Sequence, residues 1–228
     1  MQICRDPLSM HAWSRAQHDD GRRIGCVPTM GALHLGHLAL MDGARLRCDV
    51  VVVSIFVNPL QFNCSDDFDK YPRPIDIDVD ACLAAGVDAV YAPTAAAMYP
   101  TGFQTHVEPG VLANSLEGAS RPGHFRGVTT VVAKLFGAIQ PDVAVFGQKD
   151  FQQLAIIRQM VLDLDMDIEI VGLPTVREAD GLAISSRNQQ LSLDDRRAAV
   201  CVVQALRTAV AAVAEGERNA TRDRKSVV

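Results

Sequence analysis

Two hydrophobic rhythms alternate along most of the chain, and each predicts an element. "IGCVPT" (24–29) is a short apolar run that reads as a strand ended by Pro28. From Leu35 to Arg47 the apolar residues Leu38, Met41 and Leu46 fall at helical spacing. "DVVVVSIFVN" (49–58) is β-branched and unbroken, the pattern of a strand buried on both faces of a parallel sheet. "DIDVDACLAAG" (76–86) predicts a helix stopped by Gly86, and "VDAVYAP" (87–93) a third strand. Residues 127–140 predict a helix ending before Pro141, 142–147 a fourth strand, 150–164 a helix and 167–176 a fifth strand.

This alternation predicts an α/β protein on a doubly wound parallel sheet. After Pro174 the pattern changes. The loop "EADGLAISSRN" (178–188) precedes one long helix, with Ser192 as N-cap and Asp195 as its capping-box acid. The domains are therefore 1–175 and a smaller 176–228, the latter ending in a basic tail (218–228) that reads as frayed. Doubly wound sheets bind ligands beyond the carboxyl ends of their strands. The polar, oddly composed segments fall at those ends: "PTMGALHLGH" (28–37), "NPLQFN" (58–63), "APTAAAMYP" (92–100) and "GQKD" (147–150).

Composition narrows the partners. A net charge of −5 argues against broad nucleic-acid binding but leaves room for an anionic small substrate met by a local cation cluster. The six cysteines, at 4, 26, 48, 64, 82 and 201, form no C-x-x-C pair. With Cys26, Cys48 and Cys201 in or beside apolar runs, they read as buried reduced thiols of a cytoplasmic protein. The N-terminal stretch has no apolar leader. The longest apolar run, Val50–Val57, is too short to cross a membrane.

Five segments carry candidate chemistry. In "HLGH", a helix starting near Leu35 puts His34 and His37 about one turn apart, with Gly36 leaving room for a phosphate. Free amides at the helix start would face the same spot, and either imidazole could carry a proton. Two surface histidines capping a helix satisfy the same four residues, so the motif alone does not choose. Lys149 in "GQKDFQQL" stands at a helix mouth as a phosphate-facing cation, and Gln152 or Gln153 could face the pocket or solvent. "ISSRN" (184–188) offers two hydroxyls and Arg187 to a triphosphate, or is a plain turn. "SRPGHFRG" (120–127) is an anion-handling flap or a solvated loop, and Asn58 and Gln61 suit a small polar substrate. No nucleophile–base pair and no metal-ligand set is evident. The set implies charge stabilisation around phosphates.

"PTMGALHLGH", "FVNPLQF", "YPR", "RPGHFRGVTTVV", "FGQKDFQQL" and "DGLAISSRN" stand in the order and spacing of one family's signatures. By them the chain resembles the pantoate–β-alanine ligase (pantothenate synthetase) family, and H-x-G-H and "ISSR" resemble the two motifs of the class I synthetase and nucleotidyltransferase superfamily. The resemblance implies a Rossmann-like nucleotidyltransferase fold, and pantoate attacking the α-phosphorus of ATP to give pantoyl adenylate. β-Alanine would then release AMP, with Mg²⁺ accompanying ATP in a cytoplasmic homodimer. It implies that Met30, Gly31, Ala32, Leu33, His34, Leu35, Gly36 and His37 line the ATP site. His34 and His37 would lie on the phosphates, His37 as proton donor. Gln61 and Gln153 would bind pantoate, Gln61 also lying near β-alanine, and Arg121 would contact an anion. Gly147, Gln148, Lys149 and Asp150 would bind ATP, with Lys149 on its phosphates. Val176 would touch adenine, while Ile184, Ser185, Ser186 and Arg187 close on the triphosphate. The catalytic set so implied is His34, His37, Lys149, Ser185, Ser186 and Arg187. Ile184 replaces a common methionine, and the family runs longer beyond the last helix, so a shortened C-terminal domain is expected. The alternatives are a nucleotidyltransferase that leaves the nucleotide on its product, and a nucleotide-binding module without turnover.

Overall fold

The computed structural model describes residues 1–219. The chain divides into two compact units, the second beginning at Val176. In chain order the first unit holds β1 (Gln2–Cys4), α1 (Pro7–Asp19), β2 (Ile24–Thr29), α2 (Leu35–Arg45), β3 (Val50–Ile55), α3 (Ser65–Lys70) and α4 (Ile75–Ala84). It continues with β4 (Ala89–Tyr91), α5 (Ala95–Met98), α6 (Leu116–Ser120), α7 (His124–Ile139), β5 (Val143–Gly147), α8 (Phe151–Asp163) and β6 (Glu169–Leu173). The second unit holds α9 (Leu193–Ala198) and α10 (Cys201–Ala214).

All strand pairs are parallel, in the order β1-β4-β3-β2-β5-β6. Every residue of β3 is buried, as its unbroken apolar run requires. Alternation splits that run between two cores. Val50 and Val52 join Phe125, Leu135 and Ile139 of α7 and Ile157 of α8. Val51 and Val53 join Met41 and Ala44 of α2 and Cys82 of α4. Helices thus cover both faces of one sheet. After β2 the chain winds outward to β3 and β4, then returns across β2 to β5. The crevice at that reversal is flanked by the β2–α2 turn and the 148–150 turn, where such sheets take ligands.

Several expectations change. Pro28 does not end β2, which runs on to Thr29. β1 was not foreseen: three residues at a sheet edge, one of them buried, carry no period. Nor was α1, although its start is well marked, with Asp6 accepting the Ser9 N–H at 2.9 Å and Pro7 at the first turn. The single helix expected from Ser192 is two. Ser192 Oγ does accept the Asp195 N–H, but the Asp195 carboxylate accepts the Ser192 hydroxyl hydrogen bond at 2.7 Å instead of reaching back to the cap N–H. At Ala199 and Val200 the helix tightens, with Val202 N–H reaching Ala199 C=O, and α10 starts afresh. Cys201 and Cys64 are exposed and Cys48 is half-buried, so only Cys4, Cys26 and Cys82 are the buried thiols expected. Taken together, Leu193–Ala214 is long and apolar enough to cross a membrane by length and composition, unlike the Val50–Val57 run considered from sequence. Arg207 near its middle would be costly in a bilayer. Residues 220–228, most of the basic tail, lie outside the described residues.

One close approach ties the fold to the site. Gly127, in the first turn of α7, lies against the 59–61 turn so tightly that a Cβ would overlap the carbonyl of Leu60. Gly127→Ala should therefore destabilise the protein by about 1–3 kcal/mol through overpacking, measured as a lowered urea midpoint at constant m-value. An unchanged midpoint would contradict the contact.

Candidate active site

The β2–α2 turn is organised by its own amides. His34 is the N-cap of α2, and its Nδ1 accepts the Gly36 N–H at 3.2 Å. In return His37 Nδ1 accepts the His34 N–H at 3.2 Å. This is a capping box built from two imidazoles, whose rings stack with centroids 4.0 Å apart. Ahead of it, Gly31 N–H bonds Thr29 Oγ1, and the Ala32 and Leu33 N–H groups each reach an oxygen of Asp78 at 2.8 Å. The free amides expected at the helix start are therefore largely spent. The reading as a helix cap and the reading as a phosphate cradle are not exclusive, because the cap determines what the rings offer. With both Nδ1 atoms accepting, each neutral ring carries its proton on Nε2, directed away from the backbone.

These rings stay neutral. Burial, then His34, then Lys149 push His37 down to about 3. Burial and then Lys149 lower His34 as well. Both shifts favour the neutral ring near neutrality. The influence of Lys149 on both shows that the turn after β5 lies beside the turn after β2. Lys149 Nζ rests on Asp150 Oδ1 at 2.9 Å. Gly147 ends β5 and Gln148 donates to Gly172 C=O at 3.4 Å.

A second cluster sits beyond β3. Asn58 is buried with every polar valence used. Its Oδ1 accepts from Tyr99 Oη (2.7 Å) and Leu60 N–H (3.3 Å), and its Nδ2 donates to Gly127 C=O (3.0 Å) and Gln61 Oε1 (2.9 Å). Fixed backbone groups on both sides of Asn58 settle its orientation, and Asn58 settles that of Gln61. The Gln61 Nε2 is thereby turned to Met30 Sδ at 3.3 Å, bringing Gln61 beside the β2–α2 turn as a donor. His124 is the opposite tautomer to His34 and His37, since its Nδ1 donates to Gln61 C=O at 2.8 Å. Its burial lowers its pKa, so its 3.7 Å approach to Glu117 is not an ion pair at neutral pH.

The "SRPGHFRG" stretch divides in two: 121–123 form a largely exposed turn after α6, and His124–Gly127 start α7, buried at His124. Arg121, expected on an anion, is engaged with Glu117 at 2.6 Å and donates to Gln61 C=O at 3.3 Å, while Arg126 pairs with Glu108. Gln152 is spent on the 112–117 segment through Leu112 C=O, Ser115 C=O and Glu117 N–H. Gln153, next along α8, is half-buried.

Within the second unit, Ile184 N–H bonds Val176 C=O at 3.0 Å, closing a two-sided turn with the Arg177–Ala183 bridge. Ser185 caps the following 3₁₀ turn by accepting the Arg187 N–H, and Ser186 is buried. Asp78 and Tyr99 are the residues that sequence reasoning missed. Each reaches the site from more than forty residues away; Tyr99 lies in the 92–100 strand-end segment, whereas nothing local marks Asp78.

Residues 2–227 match the family Pantoate-beta-alanine ligase. The pantothenate synthetase of Heliobacterium modesticaldum is 55% identical over 227 residues, spanning 100% of this chain and 81% of that protein. That of Geobacter sulfurreducens is 52% identical over 228 residues, with the same two shares. Among solved structures, pantothenate synthetase from Thermus thermophilus superposes with a TM-score of 0.93 at 44% identity, covering 100% of this chain and 82% of that one. A pantoate-beta-alanine ligase from Francisella tularensis, complexed with β-γ ATP and β-alanine, gives 0.86 at 40% identity, covering 91% and 79%.

The histidine pair makes a pH prediction. Folded His37 takes its proton only near 3, whereas an unfolded histidine takes it near 6.5, so between those values the unfolded chain binds more protons. The stability His37 contributes is complete above that window and is lost as pH falls through it. His37→Asn should make the decline in urea midpoint below about pH 6.5 shallower than in the unaltered protein. Nitrogen-15 spectra at neutral pH should show both rings as Nε2–H tautomers. A ring titrating near 6.5 would contradict the assignment.

Proposed function

Given that the chain belongs to the pantoate–β-alanine ligase family, we propose that its β2–α2 turn and 147–150 turn carry the adenylation half of that family's reaction. The protein is an ATP-dependent ligase that forms an amide between pantoate and β-alanine. In the first step a pantoate carboxylate oxygen bonds to the α-phosphorus of ATP as the bond to the bridging oxygen breaks, releasing pyrophosphate. In the second, the β-alanine amine bonds to the acyl carbon, the acyl–phosphate bond breaks, AMP leaves and the amine loses a proton.

The single observation that supports these roles is the pair of neutral, stacked imidazoles with both Nδ1 atoms spent. Charge builds on phosphate oxygens as pyrophosphate leaves, and preorganised donors stabilise it without reorganising. His34 and His37 supply two Nε2–H donors. Lys149, exchanging Asp150 for phosphate, supplies the cation. The Nε2–H of a neutral imidazole is too weak an acid to transfer its proton, so the role read for both rings is donation of hydrogen bonds. Gln61 and Gln153 bind pantoate, Gln61 giving its amide hydrogens to an oxygen. Met30 to His37 and Gly147 to Asp150 line the ATP site, Val176 meets adenine, and Ile184 to Arg187 serve the triphosphate. Arg121 acts by holding the Gln61 carbonyl.

Among the described residues no group of three His, Cys, Asp or Glu side chains is arranged to hold a metal ion. Mg²⁺, as the family resemblance implies, would accompany ATP on its phosphate oxygens. Six free thiols fit a cytoplasmic enzyme, and a homodimer is the assembly the family resemblance implies.

Labelled pyrophosphate should exchange into ATP only when pantoate is present, and mass analysis should find AMP with a free amide product. A product still carrying the nucleotide would indicate a nucleotidyltransferase instead. ATP binding with no turnover would indicate a binding module. His37→Ala and Lys149→Ala should each slow adenylate formation about 10²–10³-fold in single turnover. ATP affinity should fall much less. Equal losses in rate and affinity would remove them from the transition state.

A further inference from the structure

Asp78 lies in α4, 1% exposed, among aspartates that otherwise face outward or are half-exposed. Its two oxygens accept the Ala32 and Leu33 N–H groups, both at 2.8 Å, and among the described residues it forms no ion pair. The turn it meets is unusual. Gly31 and Ala32 are consecutive residues in the left-handed region, at φ +80 and +51, and a left-handed alanine persists only where its surroundings hold it. Successive amides in such a turn converge as an anion-binding nest. Here the anion is the protein's own carboxylate. Gly31 is required for that approach, since a Cβ would stand 2.7 Å from Asp78 Oδ2. Behind the turn lies a cavity of about 330 Å³ bordered by Met30, Phe56, Arg73 and Thr94 as well as Asp78.

We propose that Asp78 is a positioning residue for the nucleotide step: by filling the Ala32–Leu33 nest it sets the turn from which His34 and His37 present their Nε2–H donors. It also occupies those amides, so that phosphate meets imidazole and not backbone. This rests on the reading that the two histidines meet the phosphates of ATP.

The test is Asp78→Asn, which keeps the volume but faces an amide NH₂ against one of the two N–H groups. In the folded variant, confirmed by circular dichroism, Ala32 and Leu33 amide exchange should quicken about tenfold or more. ATP dissociation should weaken about tenfold while the KM for pantoate holds. Adding Ala32→Gly, which adopts positive φ without strain, should restore part of the ATP affinity. A role of Asp78 confined to α4 would not be rescued in this way. Unchanged exchange, or faster exchange with unchanged ATP affinity, overturns the proposal. If Asp78→Asn does not fold, Gly31→Ala perturbs the same contact from the turn and is held to the same readouts. The underlying reading has a separate signal: if ATP leaves the His34 and His37 ring resonances of the unaltered protein unmoved, the histidines do not meet it.

Discussion

The amides of the turn after β2 must be satisfied, and this requirement organises the site. A chain leaving a buried parallel strand and entering a helix exposes consecutive N–H groups that a buried turn cannot leave unpaired. Serine or aspartate would ordinarily serve. Here Thr29, Asp78, His34 and His37 divide the task, and the choice of imidazole has chemical results. A ring whose Nδ1 is tied to the backbone has a fixed tautomer, a fixed plane and a donor pointing outward. Stacking and burial then keep it neutral. The same bonds that start α2 fix which hydrogens the two rings present to the crevice.

The sheet supplies the second constraint. Because all strands are parallel, every polar turn at their carboxyl ends opens on the same edge, and the reversal between β2 and β5 leaves a crevice there. That is why segments distant in sequence can act on one substrate. His37 registers the charge of Lys149, and Gln61 touches Met30.

Much of this was legible. The β3 run could only be a doubly buried strand, and the helices on either side followed from their periods and from Gly86 and Pro141. β1 escaped because three edge residues have no period, and α1 because its Asp6–Pro7 start was not followed by a strong apolar stripe. Within the site, H-x-G-H showed that histidines were present but not which nitrogen each would offer, since that depends on which amides they cap. Asp78 could not be told from Asp76 or Asp80, because burial by a turn 46 residues earlier leaves no mark in "DIDVD". Residue type suited Arg121 to an anion and left open which of Gln152 and Gln153 faces the pocket. The partners the fold gives them, the Gln61 carbonyl for Arg121 and the 112–117 backbone for Gln152, are tertiary and leave no local mark.

The fully bonded Asn58 also bears on inhibitor chemistry. It cannot rotate without breaking bonds to the backbone, so Gln61 cannot turn its carbonyl toward a ligand at that position. Together with the two imidazoles and Lys149, this wall of the crevice presents hydrogens and offers few lone pairs. Compounds bearing sulfonyl, carbonyl or phosphonate oxygens match the hydrogens that Gln61 and the two rings present. The polarity of one buried amide thus sets a rule for which small molecules can compete for the enzyme.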